Sequence, residues 1–133
     1  MNVNFAFVDG DHYLYQWQDG RYTWRRTSKV PPGRALYALD DDERIVGLVH
    51  YCVMNQVYRS IFTFVEKVWR REGLASALWD VALAREDPEK VIVNVISDKG
   101  WTLVSSLVER YPGIEWCVDD DGDRKLRDKR KAA

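Results

Sequence analysis

The chain opens on alternation. Phe5 and Phe7 alternate before Asp9-Gly10, and Tyr13, Tyr15 and Trp17 alternate before Asp19-Gly20. A period of two marks strands, and Asp-Gly is the strongest short hairpin signal. With Asp19 and Gly20 as the central turn residues, Trp17 faces Tyr22 and Tyr15 faces Trp24, which places aromatic cross-strand pairs on one face. The pattern predicts a small antiparallel meander over residues 3–26. Pro31-Pro32-Gly33 then interrupts any ladder, because proline lacks the N–H and presets its own φ. Beyond it, ALYALD, the acidic turn Asp41-Asp42-Glu43 and RIVGLVHYCVM read as a second hairpin, and YRSIFTFV after Asn55-Gln56 reads as a further strand.

At Gly73 the period changes. Leu74, Ala77, Leu78, Val81 and Leu83 recur at helical spacing until Asp87-Pro88 stops them. KVIVNVIS is rich in β-branched residues and predicts a strand. WTLVSSLVERY returns to helical spacing with Trp101, Val104, Leu107 and Val108 on one side, and Gly113 marks its end. IEWCV is a last short strand before an acidic run, Asp119 to Asp123, and a basic tail expected to be solvated and frayed. This order predicts an α+β fold in a three-layer α/β arrangement. Its mixed, mostly antiparallel sheet carries packed helices and reaches its later strands by crossovers.

Composition narrows the picture. With 133 residues and a 46% hydrophobic share, the chain suits a single domain, residues 1–133, with a true core. Its 20 Lys+Arg nearly balance 21 Asp+Glu, so the basic footprint of a dedicated nucleic-acid binder is missing. No apolar stretch approaches the roughly 20 residues of a membrane span, and the opening lacks the pattern of a secretion signal. The expectation is a soluble, cytoplasmic protein with no membrane partner. Cys52 and Cys117 each follow an aromatic residue in an apolar stretch and read as buried thiols, a bridge between them being the alternative. Two distant histidines offer no metal-ligand spacing, so no metal is expected.

The segment FVEKVWRREGLASAL, residues 64–78, carries the candidate chemistry. A strand feeds a turn of Arg70, Arg71, Glu72 and Gly73 straight into a helix. The first N–H groups of a helix have no intrachain acceptors and sit at the positive end of its dipole, so a phosphate near Gly73 and Ala75 would meet backbone donors. Arg70 and Arg71 add forked, permanently charged donors.

This spacing resembles the acyl-CoA-binding motif of the GNAT superfamily of N-acetyltransferases, Arg/Gln-x-x-Gly-x-Gly/Ala, matched by Arg70, Gly73 and Ala75. Val65 stands at the family's valine position at the end of the central strand, and Ala77-Leu78 match the small and apolar positions of the next helix. Lys67 replaces the family's usual proline. A strand, a helix and a Tyr-Pro-Gly turn downstream resemble the family's second CoA-binding half. The acyl-CoA-binding core would thus run over residues 34–118, between the aromatic meander (3–26) and the charged tail (119–133). The resemblance implies a GNAT-like acyl-CoA N-acyltransferase fold that moves an acetyl group from acetyl-CoA to an amine, with proteins among the candidate acceptors. It also implies that a backbone N–H near Val65, Glu66 or Lys67 holds the thioester carbonyl, while Arg71, Glu72, Gly73, Leu74 and Ala75 surround the pyrophosphate.

The acid and the base match less well. Arg59, eleven residues before Arg70, stands where some members carry a glutamate base, and it cannot accept a proton. His50 is the candidate instead. With Asn55-Gln56 as the turn it faces Ile61 and shares a side with Thr63 and Val65, and imidazole titrates near pH 7. The alternative is a histidine satisfied within its strand. For the family's thiolate-protonating tyrosine, counting from Ser97-Asp98 reaches Ser105 and counting back from Tyr111-Pro112-Gly113 reaches Glu109. Tyr111 is the nearest substitute, or else an aromatic closing the core. The family's two helices between its first and second strands are replaced here by the aromatic hairpin, so the acceptor does not carry over. Two readings stand: an acetyltransferase, and a binding module of the same fold. Monomer and homodimer suit both.

Overall fold

The computed structural model describes residues 2–9, 12–27, 33–70, 72–94, 97–118 and 124–125. In chain order these form strands β1 (Asn4–Asp9), β2 (His12–Gln18), β3 (Arg21–Thr27), β4 (Arg34–Leu39), β5 (Ile45–Met54) and β6 (Val57–Val65). A 3-10 turn (Lys67–Trp69), helix α1 (Leu74–Glu86), strand β7 (Lys90–Val93), helix α2 (Asp98–Arg110) and strands β8 (Glu115–Val118) and β9 (Arg124–Lys125) follow. The hairpin turns behave as their sequences predict. Asp19 and Gly20 both take positive φ and set Tyr15 opposite Trp24 and Trp17 opposite Tyr22. Asn55 and Gln56 do the same between β5 and β6.

The expected N-terminal meander does not form. β2 and β3 make a two-stranded sheet of their own, whereas β1 pairs with β4 as the edge of a seven-stranded sheet ordered β1-β4-β5-β6-β7-β8-β9. The cause lies in β4, whose Ala35, Leu36, Tyr37 and Ala38 are all buried. A strand buried on both faces belongs inside a sheet and takes a neighbour on each edge. β1, β4, β5 and β6 are antiparallel; β6-β7 and β7-β8 are parallel, with α1 and α2 as the crossovers. The helix after Gly73 matches the predicted span. α2 ends at Arg110 rather than at Gly113, with Tyr111 as its cap, and the strand read from KVIVNVIS stops at Val93.

Both helices pack on one face of the sheet. There Leu36, Val49, Tyr51, Tyr58, Val91 and Trp116 meet Leu74, Leu78, Trp79 and Leu83 of α1 and Val104, Leu107 and Val108 of α2. Fully burying one such leucine contributes about 1.5–3 kcal/mol. The other face has a smaller cluster of Ala35, Tyr37 and Leu48, with Phe62 and Phe64 against it. Two β-bulges adjust these faces. Val46 is the extra residue where Ala38 pairs with Gly47 but Leu39 with Ile45. Ile61 is the extra residue where Tyr51 pairs with Ser60 but His50 with Phe62.

An aromatic row crosses the main core. Tyr51 stacks on Tyr58 at 4.3 Å, Tyr58 meets Trp79 at 5.2 Å, and Trp79 meets Trp116 at 6.3 Å between ring centroids. Most of the polar ends find partners: Trp79 Nε1 donates to Thr63 Oγ1, Trp116 Nε1 to the Tyr111 carbonyl, and the Tyr51 hydroxyl to Glu86 Oε2, which Arg34 also bonds. The Tyr58 hydroxyl is fully buried and makes no hydrogen bond among the described residues. Burial pushes both phenols above the ordinary 10.0, Tyr51 further through the Glu86 carboxylate beside it.

Two outcomes follow for stability. Removing the unsatisfied hydroxyl in Tyr58→Phe should stabilise the fold by about 1 kcal/mol in denaturant titration, and a loss of that size would show that the hydroxyl is satisfied. Because the folded phenols hold their protons more tightly than the unfolded chain, their contribution is complete below pH 10 and falls as pH rises beyond it. Tyr58→Phe should shallow that alkaline slope.

Candidate functional site

β6 outlasts its parallel neighbour. Among the described residues it pairs with β7 only at Val57, Tyr58 and Arg59, opposite Lys90, Val91 and Ile92, and then runs on to Val65 with no described strand on that edge. A gap therefore opens beside residues 60–65. The direction of the backbone there follows from one bond: the Glu66 N–H donates to the Val46 carbonyl at 2.8 Å and so points towards β5. Successive strand amides point to opposite edges, which turns the Val65 N–H towards the gap. Val65's carbonyl shares that edge and accepts a hydrogen bond from Arg70 Nε at 3.0 Å.

The turn that follows is short and tied to itself. Trp69 N–H bonds the Glu66 carbonyl at 2.8 Å and Arg70 N–H the Lys67 carbonyl at 3.2 Å. Trp69 packs half-buried against the main core, while Glu66, Lys67, Arg70 and Glu72 are exposed. Arg71 lies outside the described residues. Gly73 begins α1 with φ of 78°, and a Cβ there would meet nothing within 4 Å. Leu74 is buried, and Ala75 is half-buried beside it.

The two helix starts differ in a way that bears on anions. Ser97 Oγ caps α2 by accepting from Gly100 N–H at 3.1 Å, with Asp98 in the first turn. α1 has no side-chain cap and no acidic residue in its first turn, so its N-terminal donors face outward with the dipole behind them. The open gap and the uncapped helix start stand at the same end of the sheet, joined by the turn from Glu66 to Gly73.

The candidate acid and base lie elsewhere. His50 has no exposed surface, and the Ile61 bulge sets it opposite Phe62, not Ile61. It therefore shares a face with Phe62, while Thr63 accepts from Trp79 on the helix side, which corrects the face expected from a regular hairpin. Tyr111 caps the far end of α2. Its hydroxyl donates to Asp80 Oδ1 at 2.5 Å, Asp80 also receiving Arg110 Nη1 at 2.7 Å. Burial, then the hydrogen bond to Asp80, raise the phenol's pKa above its ordinary value. Asp80 sits six residues into α1, about 9 Å along the axis from Leu74. Ser105 is half-buried midway along α2, and Glu109 is exposed. His50 thus lies on the face of β5 away from Thr63, and Tyr111 is held by Asp80 past the C-terminal end of α2.

Two positions escaped the sequence reading. Asp80 joins α1 to α2 through long-range pairs that no local spacing announces. Gly47 lies beneath the first turns of α1, and its signal was present: glycine inside a run of large apolar strand residues marks a close approach. Cys52 is half-buried and Cys117 buried, and no disulfide joins them. Among the described residues no group of His, Cys, Asp and Glu could hold a metal, and no helix is long and apolar enough to cross a membrane.

No protein-family model and no curated protein sequence matches the chain. Solved structures do. A GNAT-family acetyltransferase from Streptococcus pneumoniae superposes with a TM-score of 0.50 at 21% identity, over 59% of this chain and 64% of that one. A GNAT-family acetyltransferase from Staphylococcus aureus gives 0.45 at 16% identity, over 59% and 51%. A putative streptothricin acetyltransferase from Bacillus anthracis, solved with acetyl coenzyme A, gives 0.46 at 13% identity, over 80% and 71%. The chain thus spans between half and two thirds of the first two relatives' lengths. The likeness is one of fold: this chain has a divergent GNAT-like fold.

Proposed function

We propose that the protein transfers an acetyl group from acetyl-CoA to an amine. One observation carries this reading: the gap beside residues 60–65 and the uncapped start of α1 are adjacent. A thioester arm needs a slot lined by backbone donors, and a pyrophosphate needs unpaired N–H groups at a helix start.

In this reading the Val65 N–H, turned into the gap, polarises the thioester carbonyl. The N–H groups of Gly73, Leu74 and Ala75 hold the pyrophosphate, with Lys67 supplying charge at its rim. Arg70 closes the turn through Val65's carbonyl and so keeps both donor sets in register. The amine nitrogen attacks the carbonyl carbon, the N–C bond forms, and the negative charge that develops on oxygen falls on the Val65 amide. The C–S bond then breaks. The nitrogen's proton leaves to solvent and the thiolate takes one from solvent, because His50 is sealed in the sheet and the Tyr111 hydroxyl is committed to Asp80. Proximity and the preorganised amide account for the rate, which favours amines already neutral at working pH.

The second reading, a binding module of this fold, draws on the same observation about acid and base: neither candidate reaches the gap. Such a module would keep the pocket and act by occupying a macromolecular partner.

Calorimetric titration with acetyl-CoA should show saturable micromolar binding, and none at millimolar ligand would sink the proposal. Gly73→Glu puts a carboxylate in the path of the phosphates and strains a left-handed residue, so it should weaken binding by about a hundredfold, while Gly73→Asn, which tolerates positive φ, should lose less than about tenfold. His50→Ala should lower the melting temperature and leave turnover within about tenfold. A hundredfold loss of turnover with unchanged affinity and fold would restore His50 as the base.

A further inference from the structure

Residues 46 and 47 touch both ends of the turn that links β6 to α1. At its entrance, the Val46 carbonyl receives the Glu66 N–H at 2.8 Å. At its exit, Gly47 lies under α1, where a Cβ would stand 3.1 Å from Leu78 Cδ1, 3.3 Å from Leu74 Cδ2 and 3.2 Å from the Phe64 carbonyl oxygen. Those distances are tighter than nine in ten Cβ contacts, so a methyl group there requires its neighbours to give by a few tenths of an ångström. Gly47 also pairs directly with Val65, so the helix seat and the amide that faces the gap share one rung of the ladder. The Val46 bulge makes this arrangement possible, since it turns the side chain of Val46 into the main core next to the bare backbone of Gly47.

We propose that Gly47 is a positioning residue for the phosphate-binding turn. Lacking a side chain, it lets Leu74 and Leu78 rest on the backbone of β5, which fixes where the N–H groups of Gly73 to Ser76 stand relative to the end of β6. The inference deepens the acetyl-CoA reading and rests on it for its consequence in binding. It is independent of that reading for its consequence in structure. A methyl group at residue 47 requires Leu74 and Leu78 to give by a few tenths of an ångström, packed side chains pass that displacement to the first two turns of α1, and hydrogen bonds from a rigid cradle weaken steeply with it.

The test combines Gly47→Ala, Leu78→Val and the double variant, read by the backbone amide resonances of residues 73–76 in the free protein and by acetyl-CoA titration. Gly47→Ala should move those resonances and weaken acetyl-CoA by about tenfold or more. Leu78→Val alone should stay within about threefold of the parent, and the double variant, in which the nearest clashing methyl is gone, should recover most of both losses. Unmoved resonances in Gly47→Ala, unchanged affinity despite moved resonances, or a double variant that recovers neither would each overturn the proposal. Should Gly47→Ala fail to fold, the double variant is compared with Leu78→Val. Matching resonances and affinities within about threefold support the proposal, and a gap of about tenfold overturns it. If the parent protein binds no acetyl-CoA, the functional reading falls and the resonances alone decide whether Gly47 places the turn.

Discussion

Every feature of the candidate site depends on a mismatch of strand length. β6 has nine residues and β7 has four, so among the described residues most of one edge of β6 has no strand beside it. Backbone donors and acceptors in a fold are ordinarily paired, and a row left facing a gap inside the molecule invites another group to pair with it. Had β7 continued in register, the Val65 amide would be a rung of the sheet. The chain instead turns away at Glu66, and the same departure that opens the gap starts α1 beside it.

The two bulges act on this frame in opposite directions. The one at Val46 brings bare backbone under α1 and draws the helix onto the sheet. The one at Ile61 changes which residues of β6 face the helices, which leaves His50 opposite Phe62 and Thr63 available to Trp79. A shift of one residue reverses the face of everything beyond it, so the surroundings of an imidazole midway along β5 are decided by a strand irregularity some residues away.

That irregularity marks the limit of what the sequence disclosed. Local signals read well: Asp19-Gly20 and Asn55-Gln56 set hairpin registers by their tolerance of positive φ, and the helical period after Gly73 locates α1. Pairings across long stretches of chain did not. β1 left the neighbouring hairpin for β4 because burial of β4 on both faces demanded it, and the register at His50 required knowing about Ile61. The sequence offers Tyr111 as a candidate acid from its place near a helix end, and only the fold shows its hydroxyl bound to Asp80, thirty-one residues earlier. The motif itself was legible because a helix start and its glycine are local features. Its companions were hidden because they arrive from other strands.

The insertion between β1 and β4 has an evolutionary corollary. Asp9 and Arg34 are direct partners across those strands, so the chain leaves and re-enters the sheet at points about 5 Å apart. A hairpin tip of that width accepts almost any excursion that closes on itself. β2 and β3 form such an excursion, pairing with each other and adding no rung to the large sheet. The length and sequence of this excursion are therefore uncoupled from the register of the large sheet, and the strands and helices that frame the gap keep their places whatever closes on itself at that edge.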